Sequence, residues 1–583
     1  MDLFPSILKT FANTSFKTVD TGTEMPCLER DRLIVPPSLL ARVAEEGFRE
    51  LSFFLRESHL ALLARQLEGG GALGKELSGN DRLVISLLLK NAIISGRGEL
   101  ALCQDTGTAV IYGWKEEGVF SCVSNANDAS IASDGSNASG GSDTEALEAG
   151  VAAAYRKNFL RSSQTAASSF FDEFNTGNNL PAQVRLEAVP PPLSGAPVYR
   201  FLFVAKGGGS SNKTSLFPMT KALLEKSAFD TFLKEQILAL GTAACPPYRL
   251  AMVVGGTSPE LNLEVLKLAT AEALDHVPYF PAGETAIEET GESSRKKNWL
   301  WRDRYWEERT MAIGRECGIG AQFGGTNLLL DVRVLRLPRH AASCPVSIGV
   351  SCAAHRNILA FIDRNGLHME QLVHDPAAYL RSRLGERAAG LLPDSGNSSP
   401  GADNDSYRLN LERPVKEICR ELSELPVGTR VRLYGKLLVA RDAAHLKWHQ
   451  LLAEGSPLPD YLFKYPVYYA GPSATAPGKI IGSLGPTTAG RMDPYGAELM
   501  SRGASLITLA KGNRCEAWRK ACAQYGGFYL GSPGGTAALF AEENVTANEL
   551  LDYPELGMEA VRLITVRDLP AFILIDDRGN SFY

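Results

Sequence analysis

An α/β protein of two unequal domains is predicted by three features of this sequence. Short apolar runs of strand length alternate with helical periods along most of the chain. At 583 residues the chain is too long for one core. A stretch rich in Gly, Ser, Asn, Asp and Pro at 391–406 interrupts the alternation. The expected organisation is an N-terminal extension over 1–35, a large α/β domain with a helical start over 36–385, a linker over 386–406 and a smaller α/β domain over 407–583.

Composition narrows the function. Apolar residues make up 44% and charged residues 22%, as in globular proteins. A net charge of −6 argues against a nucleic-acid surface. No apolar run reaches transmembrane length. The first twenty residues lack both the Arg-rich, acid-free character of a transit peptide and the apolar core of a signal peptide. The terminal Ser-Phe-Tyr is no peroxisomal address. The cytoplasm is the expected compartment, with the mitochondrion as the alternative. The ten cysteines form no CxxC pair, which suits a reducing compartment and not a zinc ribbon.

Taken in order, residues 43–68 and 83–94 carry apolar faces of helical period, the second ended by Gly96 and Gly98. Residues 99–103 read as a strand, 104–107 as a turn and 109–112 as a second strand. Residues 124–144 have almost nothing to bury and read as a low-complexity surface insertion. A helix is expected over 145–161, and strands over 200–205, 250–254 and 331–337. A helix is also expected over 260–275 and a loop over 281–298. Strand 200–205 leads into Lys206-Gly207-Gly208-Gly209-Ser210-Ser211-Asn212-Lys213. The run is not a P-loop, because Asn212 stands where glycine is required; its free backbone N–H groups suit a carboxylate or a phosphate. In the second domain, strands are expected over 430–434, 436–440, 505–510 and 572–575, with a polar loop over 482–493.

Cys103, Cys245 and Cys352 each stand where a strand meets a Gly-, Ser- or Pro-containing loop. They lie more than a hundred residues apart, so only the fold can unite them. Three thiolates suit an iron–sulfur cluster with one iron left open. Cys344 is an equally placed rival for the third position. Arg441, Arg491 and Lys511 each sit at a strand end or in a Gly-rich loop of the second domain. Cations converging between the domains would hold a di- or tricarboxylate.

These stretches resemble the class I, iron–sulfur dependent fumarate hydratases of the two-domain single-chain type. The resemblance is carried by Cys103-Gln104-Asp105-Thr106-Gly107-Thr108, Asn178-Asn179-Leu180-Pro181-Ala182 and Ala205-Lys206-Gly207-Gly208-Gly209-Ser210. It continues at 241–248, 320–325, 336–340, 350–352, 439–442, 482–493, 509–514, 526–531 and 553–560. It implies an active site in the interdomain cleft and a 4Fe–4S cluster on Cys103, Cys245 and Cys352, the last preferred over Cys344 by its Val-Ser-Cys context. It implies dicarboxylate binding by Gln104, Arg161, the Gly209 backbone, Arg441, Arg491 and Lys511, with Thr488 beside them. It implies a catalytic pair of Asp105 and His340, the His crossing from the partner subunit of a homodimer, and Thr487 as the candidate base. The chain departs from the family in its two low-complexity insertions and at Gly325-Thr326-Asn327, where Gly-Gly-Lys-Tyr is usual.

The implied reaction is the reversible, stereospecific hydration of fumarate to (S)-malate, with neither nucleic acid nor membrane as partner. Dehydration of tartrate or a related diacid is the alternative within the family. An iron–sulfur sensor or binding protein is the alternative from another class.

Overall fold

The computed structural model describes residues 3–68, 77–121, 142–191, 195–280, 299–391 and 406–583. The low-complexity insertion at 124–144 falls almost wholly outside these residues, as do the loop 281–298 and most of the linker. The described residues form a mixed α/β protein.

Two sheets build the first half. One has six strands in the order Phe16–Val19, Gly366–Glu370, Asn357–Asp363, Tyr199–Lys206, Thr108–Glu116 and Gln183–Val189. The helices Pro37–Phe53 and Asp143–Lys157 cover it, packed so closely that a Cβ on Gly150 would strike the Ala41 carbonyl at 2.1 Å. The other sheet has five strands in the order Ser215–Met219, Cys344–Ser351, Tyr248–Gly256, Leu329–Arg339 and Trp301–Arg302. Tyr248–Gly256 is buried at every position, as a central strand covered on both faces must be.

Residues 3–35, expected as an extension, are built into this half. Phe4, Ile7 and Phe11 of the helix Phe4–Ala12 are buried in its core, and Phe16–Val19 pairs with Gly366–Glu370. Four element expectations in this half are corrected, the helix expected over 260–275 being Pro259–Thr270, with turns after it. Residues 99–107 form an irregular loop and not a strand, and regular structure resumes at Thr108. The helix expected to reach Arg161 ends at Lys157, leaving Arg161 in the loop beyond Phe159, whose φ is 53°. The helical run 43–68 is two helices, Pro37–Phe53 and Glu57–Leu67.

The second half differs from a plain layered sheet. Arg430–Val439, Val467–Tyr468, Ile507–Ala510 and Phe528–Gly531 run parallel to their neighbours. The long strand Val561–Ile575 then pairs antiparallel with both Phe528–Gly531 and Arg430–Val439. The pairings close into a ring, which removes the exposed edges of these strands. The two strands expected at 430–434 and 436–440 are one, with an irregularity between Leu433 and Gly435.

Beneath the loop 352–356 lies a buried ionic cluster. Arg249 donates to Glu272 Oε2 at 2.9 Å and to Asp331 Oδ2 at 3.0 Å. Arg56 donates to both oxygens of Glu370, at 2.7 and 2.8 Å, and lies 3.4 Å from Glu272. His355 Nε2 is 2.6 Å from Glu272 Oε1. Burial works against the Glu272 carboxylate, but Arg249 and His355 overcome it and hold its pKa well below the usual range. Removing one partner of such a cluster strands buried charge. Glu272→Ala is therefore expected to destabilise the fold by about 3–5 kcal/mol, read as a lowered denaturation midpoint. A midpoint within error of the parent would show that Arg56 and Arg249 find other partners.

Candidate active site

The loop 99–107 carries the first group of candidates between the two halves. Ser483 Oγ donates to the Ala101 carbonyl at 2.7 Å, and Asn91 Nδ2 to the Leu102 carbonyl at 2.9 Å. Gln104 Nε2 reaches the Pro486 carbonyl at 3.3 Å, where a Cβ on Gly485 would strike Gln104 Oε1 at 2.6 Å. Tyr155 O–H donates to the Gly107 carbonyl at 2.7 Å. These bonds aim Cys103, Gln104 and Asp105 at the junction.

Cys245 stands on the turn before Tyr248–Gly256, in the left-handed region at φ 58°, a conformation that costs a non-glycine residue about 1–2 kcal/mol. The Ala353 N–H donates to its carbonyl at 3.1 Å, joining this turn to the one that follows Cys352. His59 holds the Ala353 carbonyl at 2.8 Å, and the His355 N–H closes on the Cys352 carbonyl at 2.9 Å. Gly209 packs on the same turn, where a Cβ would meet the Ala243 carbonyl at 3.2 Å. From the second half, Lys511 Nζ lies 2.7 Å from Cys245 Sγ, and a Cβ on Gly534 would strike that sulfur at 2.4 Å. Gln322 brackets Gly534, donating to its carbonyl and accepting from its N–H.

Cys103, Cys245 and Cys352 thus come close enough to feel one another's charge. Burial pushes the Cys245 thiol up to about 11, while Lys511 pulls the other way. Burial likewise raises Cys103, and Arg356 opposes it. Cys344 belongs elsewhere. It opens the strand Cys344–Ser351 and Cys352 follows that strand's other end, roughly 25 Å away at 3.3 Å per residue. Among the described residues, no group of three or more His, Cys, Asp or Glu is arranged to hold a metal ion. A cluster of several irons asks for something else, namely thiolates from separate chain segments, one to an iron. Three thiols that approach one another, with Lys511 and Arg356 at hand to offset thiolate charge, are the donors such a cluster would draw on.

The cations form the second group. Arg161 Nη1 donates to the Gly471 carbonyl at 3.2 Å across the junction, and Nη2 lies 3.4 Å from Asp105. Arg441 is buried and pairs with Glu559 at 2.8 Å, but its Nε is buried without a hydrogen-bond partner. Burial, then the nearby Arg161, push Arg441 down to about 10. Arg491 is more exposed and makes a two-pronged pair with Asp442. Thr487 is buried and lies on the backbone ladder between Tyr469 and Lys511, and Thr488 Oγ1 donates to the Ala243 carbonyl at 3.4 Å. Burial raises the Asp105 carboxyl, but Arg161, Arg356 and the Gly208 N–H at 2.8 Å hold it below the usual range.

His340 is not brought to this group. It follows the strand Leu329–Arg339, whose last residue pairs with Gly256, at the end of Tyr248–Gly256 remote from Cys245. It is exposed there, and its Nδ1 accepts from the Ala342 N–H. In the atypical Gly325-Thr326-Asn327, the Thr326 N–H donates to Asp81 at the start of the helix Gly79–Ser95, and the carbonyl of the next residue, Leu328, accepts from the Tyr248 N–H. The sequence alone gives no site role to Arg356, Gln322 or Gly534, although Gln322 lies in the resembling stretch 320–325 and Arg356 stands only four residues beyond Cys352.

The model of the fumarate hydratase (fumerase) domain matches residues 41–360, and that of the fumarase C-terminus matches 379–583. Fumarate hydratase 2 of Leishmania major is 44% identical over 560 residues, covering 96% of this chain and 89% of the relative. The anaerobic class I fumarate hydratase of Escherichia coli K12 is 45% identical over 551 residues, covering 94% and 90%. The mitochondrial fumarate hydratase 1 of Leishmania major is 42% identical over 565 residues, covering 97% and 92%. With both domain models matched in order and similarity running nearly end to end, the chain belongs to the class I, two-domain fumarate hydratase family of hydro-lyases.

Proposed function

We propose that this protein hydrates fumarate to (S)-malate reversibly, in the cleft between its two halves, with a 4Fe–4S cluster on Cys103, Cys245 and Cys352. The observation that carries the reading is the convergence of three distant thiols beside crowded guanidinium groups. Arg161 and Arg441 repel each other, and an anion between them would relieve that repulsion. When bound, the cluster supplies Lewis acidity at an open coordination position.

The chain's own residues do the remaining work. One substrate carboxylate exchanges with Glu559 and Asp442 for the forks of Arg441 and Arg491. Arg161, Gln104, Lys511, Thr488 and the Gly209 N–H fix the orientation of the diacid. The same cations stabilise charge as it builds on the carboxylate while the carbon proton leaves. A free Thr hydroxyl is a weak base, so Thr487 needs the charge field of Lys511 to act. Asp105, held ionised by Arg161 and Arg356, is placed to accept a proton.

His340 enters this scheme from a second copy of the chain, since its own strand holds it roughly 25 Å from the thiols. A surface for that copy is at hand. The hairpin of Thr165–Ala167 and Glu173–Asn175 follows Arg161 and projects Phe170 and Phe171, 93% and 90% exposed, with Phe174 beside them. Adjacent exposed aromatic rings of this kind mark association surfaces.

The reading is tested by anaerobic purification with iron and sulfide counted and loss of fumarate absorbance followed. About four irons per chain with hydratase activity are expected. Both should be lost in Cys352→Ser and kept in Cys344→Ser. Loss in Cys344→Ser alone would reassign the third ligand. A full cluster without fumarate turnover would direct the assay to tartrate.

The double change Phe170→Ser with Phe171→Ser is expected to convert a dimer to a monomer in sedimentation. Hydratase activity should fall to the level of His340→Ala while the iron count holds. A variant that stays dimeric would remove this hairpin from the interface.

A further inference from the structure

Away from the thiols, the helix Gly79–Ser95 and the strand ring enclose a cavity of about 380 Å³. Its wall is apolar where Leu83, Leu87 and Phe572 meet. Lys90 lines it from the helix and is 7% exposed. Its ammonium group makes no hydrogen bond or ion pair among the described residues. The one acid whose charge it feels is Glu543, exposed at the rim. The other rim acids are engaged. Glu542 pairs with Arg97 and Lys479, and Asp568 pairs with Arg432. An ammonium without an ion pair, on a buried side chain that lines a volume with an apolar wall, suits a ligand carboxylate.

We propose that this cavity binds a small organic monocarboxylate, its carboxylate on Lys90 and its apolar body against Leu87 and Phe572. Arg430, Arg432 and Arg567 also line the cavity, with Arg432 paired to Asp568, so Lys90 is the cation set against the apolar wall. One carboxylate on Lys90 leaves the rest of the ligand against Leu87 and Phe572, where a second charge would have to be desolvated. The site therefore favours a monocarboxylate. It does not depend on the assignment of the thiol-lined cleft.

Position gives the ligand a structural consequence. Asn91, next to Lys90, accepts from the N–H groups of Ala538 and Leu539 at 2.9 and 3.1 Å and donates to the Leu102 carbonyl. Leu539 lines the cavity and Leu102 precedes Cys103. A ligand on Lys90 therefore sits against the strut that joins the two halves beside the first thiol.

Calorimetric titration of the purified protein with benzoate tests the site. One saturable event per chain is expected, unaffected by saturating malate. Lys90→Met should weaken it roughly ten- to a hundredfold, the loss of one charge-assisted bond. Glu543→Gln, an exposed change that leaves the core intact, should strengthen it. Absence of binding to the parent, displacement by malate, or equal affinity in Lys90→Met or Glu543→Gln would each overturn the proposal.

Discussion

The Glu272 carboxylate is the constraint on which much of the site rests. It is 8% exposed and stands at φ 65°, among Arg56, Arg249 and His355. Left alone there it would be protonated or the segment would open, so the arginines and the histidine are obligatory. His355 in turn holds Ser351 through its other ring nitrogen, at 2.7 Å, and its backbone closes on Cys352. The chain of contacts runs from a buried charge to the position of a thiol. Packing alone would not fix a loop of Cys-Ala-Ala-His so tightly, because its two alanines offer little to interlock.

Charge organises the Arg161–Arg441 side of the junction by the opposite rule. There, cations are held together without enough partners. Arg441 keeps an unpaired buried Nε next to Arg161, while Arg356 Nη1 is also buried without a partner. Such unsatisfied buried groups cost free energy that a bound anion would recover. Glu559 and Asp442 meet part of that demand, one from the segment before Val561–Ile575 and one at the start of the helix Asp442–Ala453. A dicarboxylate offers the same chemistry twice on a single molecule.

Much of this was legible in the sequence because strand ends and turn chemistry are local. The strands at 200–205, 250–254 and 331–337 were legible from their unbroken apolar runs, as expected of central strands. Residues 99–103 misled for the same reason. Their apolar side chains are buried, but at a junction between domains and not in a ladder, and hydrophobicity does not distinguish the two. The closing of the second sheet was invisible, since it depends on one long strand pairing on both sides. Cys344 and Cys352 look alike in sequence. An eight-residue strand between them puts them at opposite ends of a sheet, and that length separates a buried structural thiol from a candidate ligand.

Neither half contains the candidate site alone, and the contacts across the junction show why they stay together. Phe323 stacks on Phe572 with ring centroids 4.0 Å apart, and one apolar cluster runs from Leu88 and Leu102 to Tyr529 and Leu574. Polar struts cross beside it, from Asn91, Gln104, Arg161, Gln322 and Ser483. Four of these five struts use backbone groups of the second half as partners, and Ser483 uses the Ala101 carbonyl of the first. Side-chain changes on the partner strand ends would therefore leave most struts standing. Gly485 and Gly534 have less freedom, since a Cβ there would collide with the Gln104 or Cys245 side chain. The thiols and the cations are thus brought into register by struts anchored on backbone groups and by glycines that leave room for the facing side chains.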